Sequence, residues 1–421
     1  MVRLSIASPV PMLADRYARN ALQRLYLHSI RSGARAGTGT DQAKQEQAAA
    51  ALARQRVLDD LAGYLLQLEA RATALGVQVH WADDFQEANR FVIEILRTTG
   101  DTTVLRNHAP LLDEIEADRA AKANKIDLQS VHPGDFYVGL VGSQQAHPIY
   151  PAAHLRREDI SAATHSQWRV PVTYDPDLLA RTALLRLRPA LLEAKAAVLG
   201  LNFAVAATGS LVCLDNDGHN ASLVALGDHV ICLLGIEQVV ADVADLHLLT
   251  GAYARSAWGR SLPAYITQFA SSNGDGGGPR RIDLILVDNG RSLLLASAFS
   301  TTLRCIDCGA CHNICPVYRQ VGGGGYGGAA RTGPIGAVAN PSLMRAELAG
   351  KQPFLSSGCN ACAPSCPVGI NLPDLLHDQR VRLAANASLT ERATFWLWER
   401  LLTRPQLFFP ALRLARRLRP H

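Results

Sequence analysis

Between Asp41 and about Leu75 the chain reads DQAKQEQAAAALARQRVLDDLAGYLLQLEARATAL, rich in Ala, Leu and Gln. The pattern predicts one long helix, with Gly63 the place where it can be interrupted. VQVHWA (77–82) predicts a strand, FQEANRFVIEILRTT (85–99) an amphipathic helix and TTVL (102–105) another short strand. The alternation continues through an apolar run at FYVGLVG (136–142) and a helix around 176–199. LNFAVAATGSLVCL (201–214), HVICLLGIE (229–237) and RIDLILVDNG (281–290) add β-branched runs without a clean in/out pattern. Such strands between helices predict a largely parallel α/β sheet covered on both faces.

The pattern breaks twice. NGDGGGPRR (273–281) reads as a surface loop. After about residue 300, Cys, Gly and Pro replace the periodic apolar residues, and a unit so poor in large side chains needs another source of stability, which bound metal can supply. At the other end, residues 1–40 are mixed and close on SGARAGTGT, a stretch with the composition of a mobile link. From Arg380 onward helical pattern returns, with nine Arg against Glu391 and Glu399, interleaved with Leu, Phe and Trp. The expected organisation is a helical extension (1–75), an α/β domain (76–300), a cysteine-rich domain (301–385) and a basic amphipathic helical tail (386–421).

Composition narrows the function. A chain of 421 residues holds more than one domain, and 48% hydrophobic with 19% charged residues is ordinary for a globular protein. A net charge of +5 is too weak to imply nucleic acid. No run reaches the roughly 18 apolar residues that spanning a bilayer requires. The opening MVRLSIASPVPMLADRYARN lacks the apolar segment of a secretory signal. The expectation is a cytoplasmic protein with reduced thiols.

In that setting the cysteines point to metal. Seven of the nine lie between Cys305 and Cys366. CIDCGACHNICP has the spacing C-x2-C-x2-C-x3-C-P, and SSGCNACAPSCP repeats its last three positions, with Ser356 where a first cysteine would stand. Thiolates at this spacing wrap one iron–sulfur cubane, and the cysteine before the proline reaches the other cluster. Cys305, Cys308 and Cys311 therefore pair with Cys366 on cluster 1, and Cys315 joins Cys359 and Cys362 on cluster 2. Zinc prefers separated C-x2-C knuckles and fits the pattern badly. Two [4Fe–4S] clusters are expected. The second has three cysteine ligands, because a hydroxyl such as Ser356 is a poor donor for this iron. An open iron or a [3Fe–4S] form are the alternatives there.

The remaining features have plainer readings. Cys213 and Cys232 sit in apolar runs and read as packing. Gly322, Gly324 and Gly327 match G-x-G-x-x-G, but no strand precedes them, so close packing around a cluster explains them better than a dinucleotide. The turns ATGS (207–210), GIE (235–237) and DNGRS (288–292) end apolar runs, where open α/β sheets place ligands. Glu237 is a candidate nucleophile or base there. His108, His132 and His147 show no ligand spacing. The basic aromatic tail suits docking to a partner or to a membrane surface.

The stretches NFAVAATGSLV, HVICLLGIEQVV, LILVDNGRS, RCIDCGACHNICPVYRQVGG, GPIGAV and CNACAPSCPVGINLPDLL resemble the lactate-utilisation iron–sulfur protein B family over nearly the whole length. The resemblance implies a NagB/RpiA/CoA-transferase-like α/β domain, of LUD type, followed by a ferredoxin-like two-cluster domain. It also implies the same seven cluster ligands, with three in the second run. By the resemblance the chain is a non-catalytic subunit that passes electrons while L-lactate is oxidised to pyruvate, beside a cysteine-rich and a LUD-type subunit. Two departures touch the substrate: Arg106, Asn107, His108 and Ala109 replace the family's Lys-Ser-Lys-Ser, and Gly324 stands where His is common. The alternatives are a freestanding enzyme for a small acid or CoA ester using an open iron, a relay for another 2-hydroxy acid, and a redox-sensing binding protein.

Overall fold

The computed structural model describes residues 10–37, 39–270, 279–327, 331–343, 351–385 and 389–417. Six strands form one parallel sheet: β1 (Gln78–Ala82), β2 (Thr103–Arg106), β3 (Asp127–Ser130), β4 (Ala196–Gly200), β7 (His229–Gly235) and β10 (Arg281–Val287). Their order is β1-β10-β7-β4-β2-β3. The central strands carry continuous apolar runs, 230–234 in β7 and 284–287 in β10, because both faces are covered. Val230, Cys232 and Leu234 pack into one core with the helix Leu61–Ala74, while Ile231 and Leu233 enter the core under the helix Phe85–Thr99. The α/β expectation holds. Cys213 and Cys232 are fully buried packing residues.

A second sheet, ordered β8-β5-β6-β9, has no counterpart in the expectation. It holds β5 (Phe203–Val205), β6 (Ser210–Asp215), β8 (Val239–Val240) and β9 (Tyr265–Phe269). The run 201–214 folds back on itself as the antiparallel pair β5–β6, so ATGS is a hairpin turn with Gly209 at φ 73° and is not a ligand turn. FYVGLVG is not part of a strand either. His132 accepts a hydrogen bond from the Gly134 N–H, and Pro133 opens a helix, Pro133–Val141, through those residues. The long helix expected from Asp41 is two, Asp41–Asp59 and Leu61–Ala74. The break falls at Asp60, whose carboxylate caps the Gly63 N–H at 3.2 Å. SGARAGTGT is partly helical, because the helix Arg16–Arg35 runs into it. NGDGGGPRR lies outside the described residues except for its last three.

The residues up to Leu376 form one compact unit, and those from His377 form another. In the first, Asp41–Asp59 braces the cysteine region. Arg54, fully buried, donates to the carbonyls of Glu237, Val239, Leu303 and Arg304. Gln47 donates to the carbonyl of Cys366. The glycine run 322–327 answers to a close approach by the chain at Ala146, whose carbonyl accepts from the Gly323 N–H at 2.9 Å and from the Tyr318 hydroxyl at 2.9 Å. A Cβ on Gly323 would meet Gln145 O at 2.8 Å. In the second unit the helices Leu389–Leu402 and Pro405–Arg417 pack on each other.

Candidate metal centre and the cavity beside it

Left-handed backbone at Asp307 and Gly309 in the first cysteine run, and at Gly358 and Asn360 in the second, turns the chain tightly between sulfurs. Short helices Ala310–Ile314 and Cys362–Ser365 pack against each other and bring the two runs together. Cys305 feels the charges of Cys308 and Cys311, and both of these feel Cys366. Cys315 feels Cys359, and Cys362 feels both. Across the two sets, Cys362 feels Cys366 and Cys311 feels Cys362, so the groups are adjacent. Among the described residues no three His, Cys, Asp or Glu side chains form a coordination group for a single ion.

The sulfurs are met by backbone donors. Asp307 N–H reaches Cys305 Sγ at 3.3 Å, Tyr318 N–H reaches Cys315 Sγ at 3.5 Å and Ile370 N–H reaches Cys366 Sγ at 3.4 Å. Burial pushes the Cys308 thiol up to about 12, against the Ala310 N–H and the Ser256 hydroxyl, which favour its thiolate. Cys359 is the exception. It is exposed, and the Ala361 N–H holds its thiol below the usual range. Seven soft donors, N–H groups directed at sulfur and a buried setting fit iron–sulfur clusters. Ser356 Oγ accepts from the Gly358 N–H at 3.3 Å.

Next to Cys305 and Cys308 lies a buried charge network that the sequence reading missed. Glu114 accepts two bonds from Arg291, at 2.7 and 2.9 Å, and Arg291 Nε donates to Glu237. Arg331, between the two cysteine runs, donates to Glu237 at 2.7 Å and stands 3.7 Å from Asp307. Burial works to raise the carboxyl pKa values, but Arg291 and Arg331 prevail: Glu114 is held near about 2, and Glu237 is also lowered. Glu237 is thus a tied-up ion-pair member, and the role of free base considered for it is withdrawn. Arg54 did leave a trace in the sequence, an arginine in helical register with buried Ala50, Val57 and Leu61.

A cavity of about 740 Å³ opens over the network. Its wall includes Asn107, just after β2, Gly200 and Gly235, the last residues of β4 and β7, and Ile306 and Asp307 from the first cysteine run. Three of the four departure residues, Asn107, His108 and Ala109, line it. Asn107 brackets Gly200, accepting from its N–H and donating to its carbonyl, both at 2.9 Å. His108 Nδ1 lies 2.9 Å from Asp135 and its Nε2 bonds the Pro148 carbonyl. Burial disfavours its charge, but Asp135 outweighs this and raises the imidazole to about 9. His132 lines the same cavity, and burial beside His108 lowers it to about 4. His147 is buried against His312 and Tyr318. Arg106 is held by Asp118 at 2.7 Å.

These features define a class: an α/β LUD domain joined to a cysteine-rich 4Fe–4S dicluster domain. Residues 65–289 match the LUD domain family and residues 301–370 the 4Fe–4S dicluster domain family. The chain is 35% identical over 329 residues to lactate utilization protein B of an Exiguobacterium species, covering 78% of this chain and 70% of that one. To lactate utilization protein B of Bacillus velezensis it is 33% identical over 330 residues, covering 78% and 69%. The chain belongs to the lactate utilization protein B family. It is also similar to the crystal structure of a DUF162 family protein from Deinococcus radiodurans, at 17% identity and a TM-score of 0.28, over 54% of this chain and 98% of that one. Among the described residues no helix is long and apolar enough to cross a membrane.

Proposed function

We propose that this chain is the electron-relay subunit of a cytoplasmic complex that oxidises L-lactate to pyruvate. Cys305, Cys308, Cys311 and Cys366 hold one cluster in this reading, and Cys315, Cys359 and Cys362 the other. Iron–sulfur clusters, when bound, supply acceptors that take electrons one at a time. The observation that carries the reading is the exposure of Cys359, alone among seven thiols that are otherwise buried or partly buried. Cys305 and Cys308 are buried beside the cavity wall, whereas Cys359 is exposed. The first cysteine run gives Ile306 and Asp307 to the wall of a cavity where an organic molecule fits, and the second run has a ligand at the surface where a partner can approach. Burial raises the Cys305 thiol well above its ordinary range, and the nearby Arg331 guanidinium offsets part of that in favour of thiolate. The partners in this reading are a cysteine-rich and a LUD-type subunit.

The test is anaerobic purification with co-eluting subunits, followed by EPR before and after L-lactate. Reduced-cluster signals should grow in the complex and stay unchanged in the isolated chain. No lactate-dependent signal in either preparation would sink the proposal.

A further inference from the structure

The sulfur of Cys311 is met by a side chain rather than by backbone. His312 Nδ1 lies 3.4 Å from Cys311 Sγ. Which ring nitrogen carries the proton follows from what each one meets. A ligating thiolate has no proton and can only accept. Nε2 is buried and turns toward the Thr332 carbonyl without closing a hydrogen bond to it. A proton on Nε2 alone would leave that N–H unsatisfied and aim the Nδ1 lone pair at a negative sulfur. A proton on Nδ1 serves the charged acceptor, the stronger of the two. The imidazole therefore donates to Cys311.

The ring is held in that position. It is 5% exposed and stands edge-on to Tyr318, with ring centroids 4.8 Å apart. Tyr318 is itself fixed, its hydroxyl to the Ala146 carbonyl and its N–H to Cys315 Sγ. On another side lies Gly333, at φ 65°. A Cβ there would meet His312 Cδ2 at 2.6 Å and Nε2 at 2.9 Å, so only glycine leaves the imidazole its place.

An N–H aimed at a thiolate is worth more when the sulfur carries more negative charge, as it does in a reduced cluster. Burial strengthens the difference, because little water screens it. Cys305, Cys315 and Cys366 take such bonds from backbone N–H groups, which any residue supplies. The donor at Cys311 exists because position 312 is histidine.

We infer that His312 raises the reduction potential of the cluster held by Cys311, acting through that sulfur and touching no substrate. The inference rests on the assignment of Cys311 to a cluster in the relay reading, where it draws electrons toward the set that includes Cys311.

The experiment is a potentiometric titration of the anaerobically purified, cluster-loaded chain followed by EPR, the relevant cluster being the one whose signal Cys311→Ser removes. His312→Leu should make that cluster on the order of tenfold harder to reduce, a fall of about 59 mV for one electron, and leave the other cluster where it was. His312→Asn, whose amide can place a donor near the position of Nδ1, should recover more than half of the loss. An unmoved potential in His312→Leu, or equal falls in the two variants, overturns the inference. Should His312→Leu fail to take up iron, pulsed EPR of the unmutated chain labelled with nitrogen-15 histidine decides. Coupling of that nitrogen to the same cluster signal is expected, and its absence overturns the inference. Lactate-driven reduction of the complex is read separately, so loss of the tuning leaves the relay standing, and a chain without cluster signals sinks both.

Discussion

Arg331 and Glu237 meet at 2.7 Å, although one stands between the two cysteine runs and the other just beyond the end of β7. With Arg291 and Glu114 they form a four-charge core, each side chain 5% exposed or less. Such a core ties the cysteine region to the ends of the parallel strands, and it tolerates loss of a member badly. A buried pair that loses one partner leaves an uncompensated charge.

Glu237→Gln should therefore lower stability by about 3–5 kcal/mol. Lys44→Gln breaks only the exposed pair with Asp41 and should change it by less than about 0.5 kcal/mol. Urea unfolding of the anaerobic protein measures both. Similar small losses for the two variants would mean that the network is not a structural joint.

The charges also set a pH window. His108 is raised from 6.5 to about 9 in the folded protein, against burial and by Asp135. Its contribution is complete below 6.5 and is lost as pH rises through 9, on the order of 3 kcal/mol. His132, lowered to about 4, is neutral throughout that range and silent in it. Glu114 works at the other end: lowered to about 2 by Arg291 and Arg331 in spite of burial, it stabilises above about 4.5 and less as pH falls towards 2. The denaturation midpoint should fall between pH 6.5 and 9, and His108→Gln should flatten that limb. An unchanged slope in the variant refutes the assignment.

Ligand allocation is open to a crosswise test. Cys311→Ser and Cys366→Ser should remove one and the same EPR signal, and Cys315→Ser and Cys359→Ser the other, each leaving about four iron atoms of the seven or eight. Cys232→Ala, in the middle of β7, should leave both signals and cost on the order of 1 kcal/mol of stability. Loss of the same signal from Cys311→Ser and Cys315→Ser would show that each run holds its own cluster.

Legibility in the sequence followed the range of the forces involved. β7 and β10 were readable because burial on both faces writes long apolar runs, 230–234 and 284–287, and the helix 85–99 because its periodicity and its Asp84 cap are local. FYVGLVG misled because a short apolar run has no period of its own, and the deciding features, His132 and Pro133, lie just before it. The cysteine runs stood out because cluster ligands must recur at fixed short spacings. Glu114, Glu237, Arg291 and Arg331 carry no such mark: they are distant in sequence, and only the folded sheet brings them together.

The second unit makes a prediction about partners. Phe395, Trp396 and Trp398 are 73%, 55% and 57% exposed, and Arg400 lies over the Trp396 ring at 4.6 Å. Trp and Arg are enriched among the few interface hot spots, where truncation costs about 2 kcal/mol or more. Their replacement should weaken a complex without touching the fold, since none is buried within the chain. The triple change Phe395→Ser, Trp396→Ser and Trp398→Ser should therefore keep iron content and thermal midpoint and abolish co-elution with the other subunits. Size-exclusion chromatography of the anaerobic complex reads this directly. Unaltered co-elution would remove these helices from the interface.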